Sequence, residues 1–124
     1  MISEKLQTNF TAWADTIMDG APTDGVVAYA FNLAEPWSIE LVGCGSFDED
    51  DPDWACDEVY RPETDSFPLP EDQFGTTWEQ VLASVREMVV SYLGGGSSGA
   101  SRLRASTAVG MGFVDGEMDI VWPT

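Results

Sequence analysis

Residues 26–42 read VVAYAFNLAEPWSIELV and carry two strand patterns in succession. Large side chains alternate with smaller ones over residues 26–33, and Trp37, Ile39 and Leu41 alternate with polar residues within the stretch 37–42. Successive side chains of a β-strand point to opposite faces of a sheet, so a period of two indicates a strand. The two strands follow one another closely, and we expect them to pair as a hairpin.

Two amphipathic helices are predicted, one before and one after these strands. From Ser3 to about Met18, large apolar residues recur at steps of four, three and four, which places them on one side of a helix that Ser3 can cap. Residues 78–93 carry a second and broader apolar stripe. Thr76 and Glu79 have the spacing of a capping box at its start, in which each side chain satisfies a free amide of the other residue.

A second hairpin is predicted at residues 108–122. Large apolar side chains alternate with alanine or glycine over residues 108–113, and Asp115-Gly116 is a dipeptide that two-residue hairpin turns favour. A turn there would put every large apolar side chain on one face. The expected opposite pairs are Phe113 and Met118, Met111 and Ile120, and Val109 and Trp122. The glycine-rich residues 94–99 before this hairpin have the composition of a linker.

These elements, with a short third strand expected within residues 54–60, give the order α-β-β-β-α-β-β. We therefore expect an α+β fold, in which a mostly antiparallel sheet of about five strands carries both helices on one face. The length of 124 residues corresponds to a single domain, 1–124, and a hydrophobic fraction of 44% is ample for its core.

The charge of the chain is strongly negative and unevenly distributed. Its 22 acidic residues face 5 basic ones and no histidine, which gives a formal charge of −17. Of the acidic residues, 11 fall within residues 46–72, which we call the acidic segment. Arg61 is the one basic residue in this segment. Such a charge is repelled by phosphate backbones and anionic membranes, so we expect no direct nucleic-acid or membrane partner. The start of the chain lacks a signal-peptide pattern, and we expect a cytoplasmic protein.

Residue types that support catalysis or metal binding are scarce. Without histidine, serine and cysteine nucleophiles lack their usual base, and Lys5 is the one lysine available for a Ser-Lys pair. A helix-loop-helix calcium loop that starts at Asp48 would need glycine where Asp53 stands and glutamate where Val59 stands. We therefore expect no enzyme, no cofactor and no metal site. An enzyme or a divalent-metal-binding domain that uses the acidic segment stays open as an alternative.

The acidic segment is instead predicted to bind a protein. Trp54 and Tyr60 lie among its carboxylates, and binding hot spots favour Trp and Tyr surrounded by polar groups. The alternative for Trp54 is a place in the core. Another alternative for the whole chain is an adaptor subunit whose acidity only maintains solubility. The candidate partner-binding residues are Asp48, Glu49, Asp50, Asp51, Asp53, Trp54, Asp57, Glu58 and Tyr60.

The two cysteines, Cys44 and Cys56, do not form a CxxC pair, and without histidine they cannot complete a zinc site by themselves. We expect two partly buried thiols. A disulfide across neighbouring strands is the alternative.

Three stretches, residues 53–60, 78–93 and 109–116, resemble small acidic bacterial proteins, among them immunity proteins of secreted-toxin systems. The resemblance follows the order of elements over most of the chain. It implies a protein-binding role in the cytoplasm, and it identifies no catalytic residue in this chain. Together with the charge, it leads us to expect a non-catalytic inhibitor or immunity protein that covers the basic surface of a toxin, such as a nuclease.

Overall fold

The structure, a computed structural model, describes residues 3–22, 24–34, 37–51, 53–54, 57–62, 66–70, 75, 77–113 and 118–123. These residues contain three α-helices and six β-strands. In chain order the elements are α1 (Glu4–Asp19), β1 (Ala28–Ala34), β2 (Ser38–Cys44), β3 (Glu58–Tyr60), β4 (Phe67–Pro68), α2 (Trp78–Leu93), α3 (Ser98–Ala105), β5 (Ala108–Phe113) and β6 (Asp119–Trp122). No helix in the described ranges is both long and apolar enough to cross a membrane.

The strands form one mixed sheet in the order β3-β2-β1-β5-β6, with β4 also paired to β2. β1 and β2 are antiparallel from Ala28 opposite Cys44 to Ala34 opposite Ser38, so the predicted hairpin pairing is confirmed. β1 and β5 are parallel, with Ala28 opposite Ala108. The α+β class is therefore confirmed, but the parallel pair at the centre of the sheet was not predicted. It arises because α2 and α3 lie between β4 and β5 and return the chain in the direction of β1.

The third helix, α3, begins within the glycine-rich stretch that was predicted to be a linker. The Ser97 hydroxyl caps it by accepting a hydrogen bond from the Ala100 amide at 3.2 Å. The helix has eight residues, and Leu103 is its one large buried side chain. It therefore lacks the apolar stripe from which α1 and α2 were predicted. The expected count of two helices is wrong, and the order in the described residues is α-β-β-β-β-α-α-β-β.

The starts of α1 and α2 are fixed by side-chain caps. Ser3 caps α1 as predicted, since its hydroxyl accepts from the Leu6 amide at 3.1 Å. At α2 the capping box joins Thr77 and Gln80, with hydrogen bonds of 3.2 and 3.4 Å, and the predicted box of Thr76 and Glu79 is wrong by one residue. Two successive threonines, followed by Glu79 and Gln80, satisfy the box spacing in two frames, so spacing alone could not choose between them. Thr76 itself lies outside the described residues.

A large apolar cluster joins the three helices to one face of the sheet, which we call the helix face. Phe10 of α1 is fully buried within it. Its ring centroid lies 5.4–5.8 Å from those of Phe31, Phe67 and Tyr92. Because these partners come from β1, β4 and α2, one aromatic side chain ties elements distant in the sequence to a common core.

The three helices also meet at a polar junction around Asp15 of α1. Its carboxylate accepts a hydrogen bond from the Tyr92 hydroxyl of α2 at 2.7 Å and one from the Gly99 amide at the start of α3 at 3.2 Å. An anion at the start of a helix is favourable because the free amides there carry partial positive charge. Burial raises the pKa of Tyr92, and the hydrogen bond to Asp15 raises it further. The tyrosine therefore stays a neutral donor to the carboxylate.

Two arginines of α3 bind the carboxyl ends of the other helices. Neither α1 nor α2 has a basic residue in its last turn. Arg102 instead donates to the carbonyl of Met18 in the last turn of α1 and to those of Ala21 and Pro22 just beyond it. Arg104 donates to the carbonyl of Leu93, the last residue of α2, and to that of Gly95. Cations are stabilising there because the last carbonyls of a helix carry partial negative charge.

The C-terminal hairpin keeps only part of its predicted register. Val109 lies opposite Trp122 as predicted, but a bulge follows, and Met111 then lies opposite Asp119 instead of Ile120. The predicted pair of Phe113 and Met118 is also wrong, because Phe113 packs on the helix face and Met118 on the opposite face. One extra residue at a bulge moves the following side chains to the other face of the sheet. The predicted turn at Asp115-Gly116 and the Glu35-Pro36 connection lie outside the described residues.

Candidate functional site

The face of the sheet opposite the helices, which we call the second face, is built from small side chains. Its central positions on β1 and β5 are Ala28, Ala30 and Ala108, all fully buried. Val42 and Cys44 of β2 continue this surface. Small residues on neighbouring strands leave a shallow recess in which one large ring can lie flat against the backbone.

Trp54 fills this recess. Trp54 is only 4% exposed, and its ring packs with Phe47, Met118 and Ile120 over the small residues. The Phe47 and Trp54 rings meet edge to face, with centroids 5.0 Å apart. A Cβ atom added at Gly110 would lie 2.9 Å from Cζ2 of Trp54, so the ring sits directly on the glycine backbone. Of the two alternatives for Trp54, its burial places the ring in the core.

The acidic segment therefore crosses the second face with Trp54 as its point of attachment. Asp53 and Trp54 form a short helical turn, and the third strand is limited to β3 instead of extending over residues 54–60. Backbone hydrogen bonds hold the segment on both sides of Trp54. The Trp54 amide donates to the Asp51 carbonyl at 3.2 Å, and the Gly45 amide donates to the Asp57 carbonyl at 2.9 Å.

Two aspartates fix the backbone of the loop before Trp54. Oδ1 of Asp48 accepts from the Asp50 amide at 2.9 Å, and Oδ1 of Asp51 accepts from the Asp53 amide at 3.0 Å. Aspartate side chains commonly stabilise turns by accepting an amide two residues later. Each aspartate keeps a second carboxylate oxygen for other donors, so loop structure and surface charge come from the same residues.

The predicted carboxylates all lie on the protein surface. We call the seven of them the acidic surface; each is exposed: Asp48, Glu49, Asp50, Asp51, Asp53, Asp57 and Glu58. At its edge, Arg61 bridges Glu58 and Glu40, the latter at 2.9 Å. The basic residue that sequence analysis found within the acidic segment is thus already paired.

Tyr60, the ninth predicted site residue, belongs largely to the fold. It is half-buried and packs against the helix-face cluster, and its hydroxyl donates to the Ile17 carbonyl at 3.0 Å. Burial raises its pKa, with a smaller opposing effect from Arg102. The predicted site residues thus divide into seven exposed carboxylates and two aromatic side chains that pack into the fold.

The acidic surface can act on other molecules through the negative charge of its hydrated carboxylates. No group of three or more His, Cys, Asp or Glu side chains among the described residues is arranged to hold a metal ion. Cys44 is fully buried in the second-face cluster, whereas Cys56 lies outside the described residues, so the disulfide alternative stays untested. Exposed carboxylates attract cations and basic side chains over distances of about 8 Å at physiological salt.

Comparison of the chain with family models, curated proteins and solved structures finds no match. The resemblance to immunity proteins thus stays a prediction, and any proposal about function rests on the acidic surface itself.

Sequence reasoning found the carboxylates but missed the recess that holds them. The signal was present: Ala28, Ala30, Ala108 and Gly110 alternate with large residues on neighbouring strands. That alternation indicates strands, as described above, but it carries a second meaning. Small residues at every second position also indicate that a large side chain packs closely on that face, and Trp54 is such a side chain.

Proposed function

We propose that this chain is a non-catalytic acidic protein-binding domain, an inhibitor or immunity protein that neutralises a basic partner such as a nuclease toxin. The observation that supports the proposal is the acidic surface itself: seven exposed carboxylates, of which Glu58 begins β3 and the other six lie on the loop before it, where two Asx turns and the buried Trp54 ring hold the backbone.

A fixed loop suits this role better than a flexible tail. Ordering a flexible segment on binding costs conformational entropy, and a preorganised surface avoids much of that cost. Complementary charge also raises association rates, to about 10⁸ M⁻¹s⁻¹ or more at low salt, which is useful where a toxin has to be captured quickly. Carboxylates on such a surface occupy the positions where a nuclease would otherwise bind substrate phosphates.

The test begins with capture of the partner from a lysate of the source organism at low and at high salt. The test variant carries Asp50→Asn, Asp51→Asn and Asp53→Asn, which keep an acceptor oxygen for the Asx turn. A control variant removes three exposed charges elsewhere, through Asp19→Asn, Asp24→Asn and Glu87→Gln. Both variants lose three charges, so they differ in the position of the loss and not in its amount.

We expect the wild type and the control to capture a basic protein and to block its activity at equal molar amounts. With the purified partner, the test variant should associate on the order of tenfold more slowly at low salt, with a weaker salt dependence and a little-changed dissociation rate. Equal association rates for test and control variants would show that the acidic surface is not the recognition surface, and the solubility interpretation would replace the proposal.

A further inference from the structure

A second feature is the edge of the sheet that β6 forms. β6 ends the strand order, and among the described strands only β5 pairs with it. The outer amides and carbonyls of an edge strand can pair with another chain, and charged side chains or proline often prevent this. β6 contains no proline, and its one charged residue, Asp119, is paired with Arg86 of α2 at 3.4 Å. The outer edge of β6 is therefore a candidate position for an added strand.

On the helix face, this edge carries an apolar groove between the end of α2 and β6. Its volume is about 260 Å³, and its lining residues are Val90, Leu93, Gly94, Arg104, Val121 and Trp122. Val90 is 45% exposed. Arg104, the one charged lining residue, already donates to the carbonyls of Leu93 and Gly95. A side chain that enters this groove should be apolar, because a basic one would be repelled by Arg104.

On the second face, the same edge lies beside the acidic surface. Ile120 of β6 packs in one cluster with Trp54, and Asp53 directly precedes Trp54 in the chain. Asp53, like Asp50 and Asp51, is exposed. A lysine or arginine can lay its apolar stem along the aromatic rings and extend its charge toward these carboxylates. A side chain that lies next to Ile120 should therefore be basic.

The two faces together define the kind of segment that fits. Successive side chains of a strand point to opposite faces of the sheet, so a strand added to β6 places every second side chain at the groove and the others at the acidic surface. We propose that β6 binds, by strand addition, an extended segment of a partner protein in which apolar and basic residues alternate. Main-chain hydrogen bonds provide affinity in this mode, and the side-chain surroundings provide selectivity. The inference rests on the proposed function, since it names the part of the basic partner that is recognised.

The opposite edge of the sheet does not offer this combination. β3 has three residues, and Arg61, directly after it, pairs with Glu58 and Glu40. A basic side chain added there would meet the guanidinium of Arg61. Val59 of β3 is 54% exposed and provides a matched control for Val90.

The test measures binding of three capped peptides to the full chain by calorimetry at physiological salt. Lys-Val-Lys-Val-Lys-Val has the proposed alternation. Lys-Lys-Lys-Val-Val-Val has the same composition and charge without it, and Glu-Val-Glu-Val-Glu-Val keeps the alternation with the opposite charge. The first peptide should bind at least about tenfold more tightly than either of the others. Equal binding of the second peptide would show that net charge alone is recognised and would overturn the proposal.

Variants and hydrogen exchange locate the bound peptide. Val90→Gln makes the groove polar and should weaken binding of the alternating peptide about fivefold or more, while Val59→Gln should leave it unchanged. Both side chains are exposed, so both variants should fold. In the complex, amides of β6 should exchange more slowly, as followed by NMR. Unchanged exchange in β6, or an effect of Val59→Gln in place of Val90→Gln, would refute the assignment.

A second copy of the chain is the alternative occupant of β6, and sedimentation velocity separates the two cases. We expect the free chain to be a monomer; a dimer that Val90→Gln dissociates would assign this edge to a second copy and overturn the proposal. Failure of the proposed function is read separately, from the association rate of the Asp50→Asn, Asp51→Asn, Asp53→Asn variant with the purified partner. Slow association of that variant, together with equal binding of the two lysine peptides, would reject strand addition at β6 and retain the inhibitor function.

Discussion

Replacing Trp54 by alanine tests whether the acidic segment is attached to the fold by this ring. The residue is 4% exposed, and its ring lies on Gly110 and against Phe47. Truncating a buried Trp to Ala costs about 3–5 kcal/mol of unfolding free energy, from lost burial and from the cavity left behind. Domains have a total stability of about 5–15 kcal/mol, so Trp54→Ala should lose a large fraction of it.

The comparison needs a tryptophan that the fold does not bury. Trp78, at the start of α2, is 56% exposed and contacts Phe113 with ring centroids 6.3 Å apart. Its replacement by alanine should cost about 1 kcal/mol or less. Trp54→Phe, which keeps a smaller ring in the recess, should cost about 1–2 kcal/mol and gives a folded variant if Trp54→Ala unfolds.

Urea unfolding followed by circular dichroism measures these differences, since the five tryptophans of the chain make fluorescence hard to assign to one site. Limited proteolysis adds a local readout, because release of the ring should expose residues 46–57 to cleavage in Trp54→Phe before the rest of the chain. An exposed binding anchor would behave differently, weakening partner binding with no loss of stability. If Trp54→Ala and Trp78→Ala cost the same, within about 0.5 kcal/mol, the ring is not a core element and our account of the second face is wrong.

Three further predictions concern the fold. Gly99→Ala would push a methyl group into the Tyr92 hydroxyl and the Asp15 carboxylate and should cost about 2 kcal/mol or more in thermal melts, while Gly96→Ala, where the space is open, should be nearly neutral. Burial and the hydrogen bond to Asp15 raise the pKa of Tyr92 in the folded state, so the stability that this tyrosine contributes should be intact below the ordinary pKa of 10.0 and should decline as the pH rises above that value. Urea midpoints measured from neutral to alkaline pH should show this decline, and the decline should be smaller in Tyr92→Phe. Because we expect both cysteines to be thiols, reduction should leave the melting temperature unchanged; a fall of several degrees would show that a disulfide is present instead.

The sequence predicted those elements whose pattern repeats within a single segment. Alternation over residues 26–42 identified β1 and β2 and their antiparallel pairing, and an apolar stripe identified α1 with its Ser3 cap. These features depend on neighbouring residues only. The α2 cap was missed by one residue because two frames satisfied the same spacing.

Features that depend on distant segments were not predictable in this way. Parallel pairing of β1 with β5 follows from the path of the two helices between β4 and β5, and local alternation carries no information on strand direction. The bulge after Val109 moves Ile120 to the second face although the pattern alone favoured the helix face. α3 packs through few large side chains and is held by caps and arginines at its ends, so it has little apolar periodicity to detect.

The exposed carboxylates of the candidate site were predictable from the sequence, but the packing of Trp54 that holds them in place was not. Runs of aspartate are exposed in almost any fold, because burying a carboxylate without a partner is costly. Whether Trp54 faced a partner or the core depended on the recess that Ala28, Ala108 and Gly110 form together, which requires knowledge of the parallel pair.

The distribution of the cations strengthens the case for directed use of the acidic surface. In the described residues, Arg61 and Arg86 each pair with carboxylates, and Arg102 and Arg104 bind carbonyls at the carboxyl ends of α1 and α2. Arg61 reaches only the edge of the acidic surface, through Glu58, and the run from Asp48 to Asp53 has no basic side chain paired with it in the described structure. Solubility would be served equally by acidic residues spread over the whole surface. Concentrating them on a loop that a buried ring holds in place instead creates a local field of one sign, and such a field attracts a basic protein.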